Sequence, residues 1–434
     1  MRASLVVFSV LATYGAFKES HASEAYSALY KPVFLTFPEF KYSEHCAYDG
    51  IDVSSDYRRA TYNFVIDLFK LVAERSKLHA VYSPMSLWRM LAAMAEGAEG
   101  PAQHELFKVL NLPEDKCLRQ KYYQLAAKSE TAAPDVTLLS TRLLAYDESL
   151  DLNKYWADYV RSNCLMNTIP IPIKREPLVA QSVLRNLVSS RLPLADFSGN
   201  SVILDSLDYQ ALWTTAFSDA IIENAPFCND AGQQIGTVDL MKMKKRVRLT
   251  FLPGMNLKVL ELPVGYDGRY RMMLALSLGK TLESVQNLRN TIVFEILDSL
   301  RTSRIPIDIA IPRFTMTSEY DMRPFLEEMG VRSLWADPYA TRNISEPAAK
   351  PSALLQRVTI TLDNRGVVKN SEELPEFLSA SAKSFDTETG LDPILGRDFI
   401  ANRPFMFGLL DMETKTVSMG TIFSYPTTKF VLKK

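Results

Sequence analysis

The sequence predicts an α+β fold in one large domain. Three observations carry that prediction: helical periodicity dominates the first third, two-residue alternation dominates the rest, and no repeat period appears. At 434 residues the chain can bury a large core, and 47% apolar with 23% charged residues is ordinary for a globular protein. A net charge of −1, without a long run of one sign, gives no electrostatic case for nucleic acid as a partner.

The N-terminus, "MRASLVVFSVLATYGAFKESHAS", has the layout of a secretory signal. Arg2 supplies the positive start, Leu5 to Phe17 the apolar run, and Ser20-His21-Ala22 the small residues of a cleavage site. We assign residues 1–22 to the signal, 23–57 to an aromatic-rich extension and 58–434 to the main domain. The run is short for a bilayer and no later stretch reaches that length, so a secreted, extracellular protein without a membrane span is expected. In an oxidising compartment Cys46, Cys117, Cys164 and Cys228 permit two disulfides in three pairings, or buried thiols. Asn343-Ile344-Ser345 is a glycosylation sequon in a segment that reads as loop.

From Thr61, "TYNFVIDLFKLVAER" aligns Phe64, Leu68, Phe69 and Val72 on one helical face. "YSPMSLWRMLAAMAEGAEG" places Pro84 at a first helical position and stops at Gly97, and a third helix follows from Pro101. Further on, "RIPIDIAIPRFT" alternates Ile305, Ile307, Ile309 and Ile311 as a strand does. "RMMLALSL", "RPFMFGLLD" and "TKTVSMGTIF" are also strand-like.

Catalytic constellations are absent. His21 falls in the signal, while His45, His79 and His104 are scattered without metal-ligand spacing. No GxSxG, P-loop or GxGxxG occurs, so no enzyme, metal or cofactor is expected. The basic run "MKMKKRVRL" reads as the solvated face of a strand. Its polyanion-binding alternative, for a glycosaminoglycan such as heparin, would use Lys242, Lys244, Lys245 and Arg246.

Several segments, in order, resemble the serpin family over roughly residues 60 to 426. They are "VYSPMSLWRMLAAMAEGAEG", "LWTTAF" around Trp213, "PFCNDAGQQIGTVDLMKMKKRVRL" with "KVLELPVGYDG", "IDIAIPRFTMTSEYDMRPFLEEMGV", and "FIANRPFMFGLLD" closing in "VSMGTIFSYP". The resemblance implies three β-sheets, about eight or nine helices, and an exposed reactive-centre loop at about 364–402. In inhibitory members a protease cleaves that loop, which then inserts as a new strand of the central sheet.

Here the hinge departs from the inhibitory pattern. Asn364-Arg365-Gly366 keeps the glycine, but Val367 replaces a small hydroxyl residue and Lys369 opens a run where small apolar residues are usual. The carboxylate usual at position 364 is missing although Arg313 stands at its basic partner's place. Side chains of an inserted strand alternate between faces, so one face takes Lys369 and Glu373, the other Glu372 and Glu376. Burying an unpaired charge costs several kcal/mol. Pro375 lacks the N–H a central strand donates, at roughly 3 kcal/mol by analogy with a helix. Gly366 lies 38 residues before Pro404, longer than the family's usual loop. Counting forward puts the scissile position near Ala380 and counting back puts it near Pro393, while Lys383 and Arg397 suit a trypsin-like protease.

The resemblance also implies a hydrogen-bonded cluster beneath the sliding strands. It retains Ser83 and Ser86, with Asp205 where Asn is usual and Gln356 where His is usual. The expected function is thus a secreted serpin-fold protein that acts by binding a protein partner. The alternative is a serine-type endopeptidase inhibitor, acting on an extracellular protease through its long loop.

Overall fold

The computed structural model describes residues 50–131, 133–188, 198–368 and 398–426. Ten α-helices occur among them. They are α1 (Ser54–Arg75), α2 (Pro84–Ala95), α3 (Gly100–Leu110), α4 (Lys116–Lys128), α5 (Lys154–Ser162), α6 (Pro177–Val188), α7 (Thr281–Gln286), α8 (Ile292–Ser299), α9 (Arg323–Met329) and the single turn α10 (Ser333–Ala336). The resemblance implied about eight or nine, and the short α7 and α10, of 6 and 4 residues, are part of the ten found among the described residues.

A five-stranded central sheet runs β14 (Phe314–Asp321), β16 (Pro351–Leu362), β5 (Ser201–Ala211), β2 (Val136–Asp147) and β4 (Asn167–Ile171). A larger, nine-stranded sheet follows the path β1 (Ala80–Tyr82), β20 (Thr416–Phe423), β19 (Phe405–Asp411), β11 (Tyr270–Ser277), β10 (Leu257–Val264), β6 (Trp213–Thr215) and β17 (Gly366–Val368). From its β10 branch β9 (Arg248–Leu252) and β12 (Arg301–Thr302). The third sheet orders β18 (Asp398–Ile400), β13 (Ile307–Pro312), β8 (Gln234–Lys245) and β7 (Ile222–Cys228). A two-stranded ribbon joins β15 (Ser345–Glu346) to β3 (Asp151–Leu152). The α+β class with three main sheets is therefore observed.

Helix α1 begins at Ser54, so the reading of 23–57 as an extension cuts into its first turn. The apolar stripe there starts late, but Tyr57 is fully buried and anchors that turn. Helix α2 is buried on all sides, consistent with a sequence apolar all round. Ser83 caps it and Pro84 occupies its first turn. In β13 the alternation buries Ile307, Ile309 and Ile311, while Ile305 precedes the strand. Helix α6 covers the outer part of the central sheet through Val183 and Leu184. The predicted signal, Cys46 and His45 lie outside the described residues.

Candidate functional site

The site grows from one seam, the parallel pairing of β16 with β5. Its ladder runs from Leu354 opposite Ile203 to Thr361 opposite Gln210. Two side chains bridge that ladder from opposite faces. Inside, Gln356 and Asp205 are register partners, and the Gln356 carboxamide donates to Asp205 at 2.6 Å. Outside, the Arg357 guanidinium donates to Asp208 of β5 at 3.2 Å and pairs with Glu319 of β14 at 3.3 Å.

Beneath the seam lies the start of α2. The Ser83 N–H donates to the Gln356 side-chain oxygen Oε1 at 3.1 Å, and the Gln356 side-chain Nε2 returns a bond to the Ser83 backbone carbonyl at 2.9 Å. Ser86 donates its hydroxyl to Asp205 at 2.6 Å, and Ser83 donates to the Ser418 carbonyl at 3.0 Å. The structure thus brings together Ser83, Ser86, Asp205 and Gln356, all buried. Burial pushes the Asp205 carboxyl up to about 6; the bonds from Ser86 and Gln356 and the charge of Arg142 oppose this. Arg142 faces Asp205 across the β2–β5 register. It shares Glu130 with Arg89, at 2.5 and 2.6 Å, in a buried set of charges that sequence reading missed. Nothing local in the sequence marks it, since its members come from α2, β2 and the turn after α4.

The hinge follows β16 and turns away from the seam. The Trp213 indole donates to the Asp363 carbonyl at 2.7 Å, and the N–H groups of Phe217 and Trp213 donate to Asn364 and Arg365 at 3.0 and 3.1 Å. Gly366–Val368 then pairs in parallel with Trp213–Thr215. A Cβ on Gly366 would stand 2.2 Å from the Ala216 nitrogen, so the glycine is required for this docking. The missing carboxylate at 364 has a neighbour in its place: Asp363 pairs with Arg365 at 2.6 Å. Arg313 pairs instead with Asp239, at 3.0 Å. Lys245 donates to the Thr215 hydroxyl beside the docked hinge at 2.6 Å, and burial pushes its ammonium down to about 8.

Two readings need correction. The loop assigned to 364–402 is anchored at both ends, because β17 holds its start and β18 pairs with β13 from Asp398 to Ile400. Lys258 fixes that far end by donating to the Asp398 carbonyl. Lys369, Ala380, Lys383, Pro393 and Arg397 lie outside the described residues. The four basic residues of β8 and its end do not form one face. Lys242 and Lys244 point to solvent, Lys244 paired with Asp308 at 3.2 Å, and Arg246 is exposed, whereas Lys245 turns inward.

Asn343 sits exposed in a turn, its carbonyl accepting from Asn153 at 2.8 Å. Cys117 is disulfide-bonded, and Cys164 and Cys228 are thiols, so at most one disulfide forms rather than two. His79 accepts the N–H groups of Ser424 and Tyr425 at 3.3 and 3.4 Å, and His104 is exposed on α3. Among the described residues no three His, Cys, Asp or Glu gather as a metal site, and no helix is long and apolar enough to cross a membrane.

Away from the seam, α1 and α8 flank the nine-stranded sheet around a half-open apolar cavity of about 130 Å³. Val65, Phe69, Val259, Met273, Ile292 and Met406 line it.

A serpin-like protein of Thermococcus kodakarensis is 24% identical over 420 residues, covering 92% of this chain and 89% of its own. The leukocyte elastase inhibitor of Xenopus tropicalis is 23% identical over 385 residues, covering 84% of this chain and 98% of its own. The crystal structure of human thyroxine-binding globulin with its hormone superposes with a TM-score of 0.73 at 14% identity, covering 87% of this chain and all of that one. The family model for Serpin (serine protease inhibitor) matches residues 59–425, and this chain belongs to that family.

Proposed function

We propose that this serpin acts by binding a protein partner and does not inhibit proteases by inserting its loop. The observation that carries this reading is the seam itself. Insertion between β16 and β5 must break the Gln356–Asp205 and Arg357–Asp208 bonds together. It must also give the buried Asp205 carboxylate a new set of donors, since an unpaired buried charge costs several kcal/mol. The hinge, tied to β6 and wedged at Gly366, starts away from that seam. The charges and Pro375 in the following segment add to the cost. Secretion, glycosylation at Asn343 and contact with the partner through the long loop complete the proposal.

The test is thermal unfolding of intact protein against a sample nicked once within residues 377–399. An unchanged midpoint is expected. A rise of tens of degrees, or a protein–protease adduct that survives denaturant, would establish the inhibitory alternative.

The apolar cavity supports a second reading, carriage of a small apolar ligand. It is nearly as large as engineered cavities that hold benzene. Saturating benzene should raise the thermal midpoint if the cavity takes an apolar ligand. A Val259→Trp variant should lose that rise, and an unchanged midpoint of the unsubstituted protein with benzene would end the reading.

A further inference from the structure

Helix α4 is covered on every side at its middle. Arg119, Gln120, Lys121, Tyr122 and Tyr123 are buried in succession, a stretch longer than one turn. Helices α2, α3 and α1 account for three of those contacts. Tyr123 packs edge-on against Trp88 of α2, the Arg119 guanidinium lies over the ring of Phe107 of α3, and Tyr122 meets Tyr57 of α1 at 5.6 Å. The remaining face belongs to Lys121, whose buried ammonium donates to the backbone carbonyl of Ile51 at 2.9 Å. The chain that leads into α1 is therefore laid against α4 and held there by Lys121.

Cys117 lies four residues before Lys121 on α4 and shares that face of the helix. It is disulfide-bonded, whereas Cys164 and Cys228 are free thiols. The chain has four cysteines, so Cys46 alone remains as a partner within the same molecule. Its reach fits. Cys117 stands about 6 Å along the helix from Lys121, and the five residues back from Ile51 to Cys46 extend up to about 17 Å. That is enough to bring the two Cα atoms to the roughly 5.5 Å that a disulfide needs.

We propose that Cys46 and Cys117 form a disulfide that straps the segment before Gly50 across α4. The two thiols pass two protons and two electrons to an oxidant of the disulfide class, such as glutathione disulfide, which leaves as two molecules of glutathione. The bond closes a ring over 46–117 that encloses α1, α2 and α3, so it restricts the unfolded chain across that whole span. It also fixes the entry to α1, whose first turn is seated on α4 through Tyr57 and Tyr122. The bond does not depend on whether the loop inserts.

Thiol titration decides it. The full chain, refolded in a glutathione redox buffer and then unfolded in guanidinium, should show two thiols, and four after reduction. Peptide mapping of the monomer without reductant should give one linked pair, containing Cys46 and Cys117. Cys46→Ala, Cys117→Ala and the double variant should lower the urea midpoint equally, because each removes the same bond. Reductant should bring the unsubstituted protein down to the same midpoint. Thiol count and mapping use the unsubstituted chain, so they decide the pairing even where a variant fails to fold. Four thiols before reduction, a linked pair of other composition, or a dimer joined through Cys117 would overturn the proposal. Losses in the two single variants that add in the double would do the same.

Discussion

Asp205 carries the largest electrostatic burden of any single side chain in the seam. Its folded value of about 6 lies above the ordinary 3.8, so the folded state holds the proton more tightly than the unfolded chain. The sign follows. This contribution is fully present below about pH 4 and is lost as pH rises through about 6. A shift of that size corresponds to at most roughly 3 kcal/mol. Asp205→Asn should therefore flatten the slope of stability against pH between 4 and 6, read from urea midpoints. It should also raise the midpoint at pH 7.4. A lower midpoint would mean that the attraction of Arg142 outweighs burial. His79 works in the other direction. Burial lowers its value below the ordinary 6.5, so its acceptor role is intact above that pH and is lost as pH falls. Amide exchange at Ser424 and Tyr425, corrected for intrinsic rate, should accelerate from pH 7.5 to pH 5.5, and His79→Gln should abolish that difference.

At the scale of elements, β17 is the piece most exposed to a single change. Gly366→Ala would drive a methyl into the backbone of Ala216, so β17 must leave β6. Loss of the Trp213–Asp363 bond would follow, giving a red shift of tryptophan emission and a destabilisation of about 1–3 kcal/mol. An Ala variant with native emission would show that the hinge can dock otherwise. The start of α2 offers a second test. Ser83→Ala removes the cap to the Ser86 N–H and the donor to Ser418, at a cost of about 1–3 kcal/mol. The bonds to Gln356 use the Ser83 backbone N–H and carbonyl, so they should survive this substitution.

For the molecule as a whole, the sheets share a core in which Phe314, Phe405, Phe407 and Phe423 stack between the central and the nine-stranded sheets. Amides of β16 and β5 should therefore exchange only by the most global opening, and nicking within 377–399 should not change that limit. Faster exchange of the β16–β5 ladder after nicking would show that cleavage releases the seam. The distinction bears on function, because a seam that opens on cleavage is the first step of insertion.

By itself the sequence determined the fold class, the buried helix α2, the alternation of β13 and the segments that place this chain among serpins. Each is a local pattern: a cap and proline before an apolar helix, a two-residue period, a run of motif residues. It also named Ser83, Ser86, Asp205 and Gln356 as one cluster, but through resemblance, since residues this far apart carry no local signal of contact. Only the tertiary structure decided that Asp363 pairs with Arg365, that Arg313 takes Asp239, that Lys245 turns inward, and that Arg142 and Arg89 share Glu130. These are choices among several available partners for the same charge. Composition and spacing allow them all; the docking of the hinge on β6 leaves Arg365 to its neighbour Asp363, and packing between segments distant in sequence selects the others.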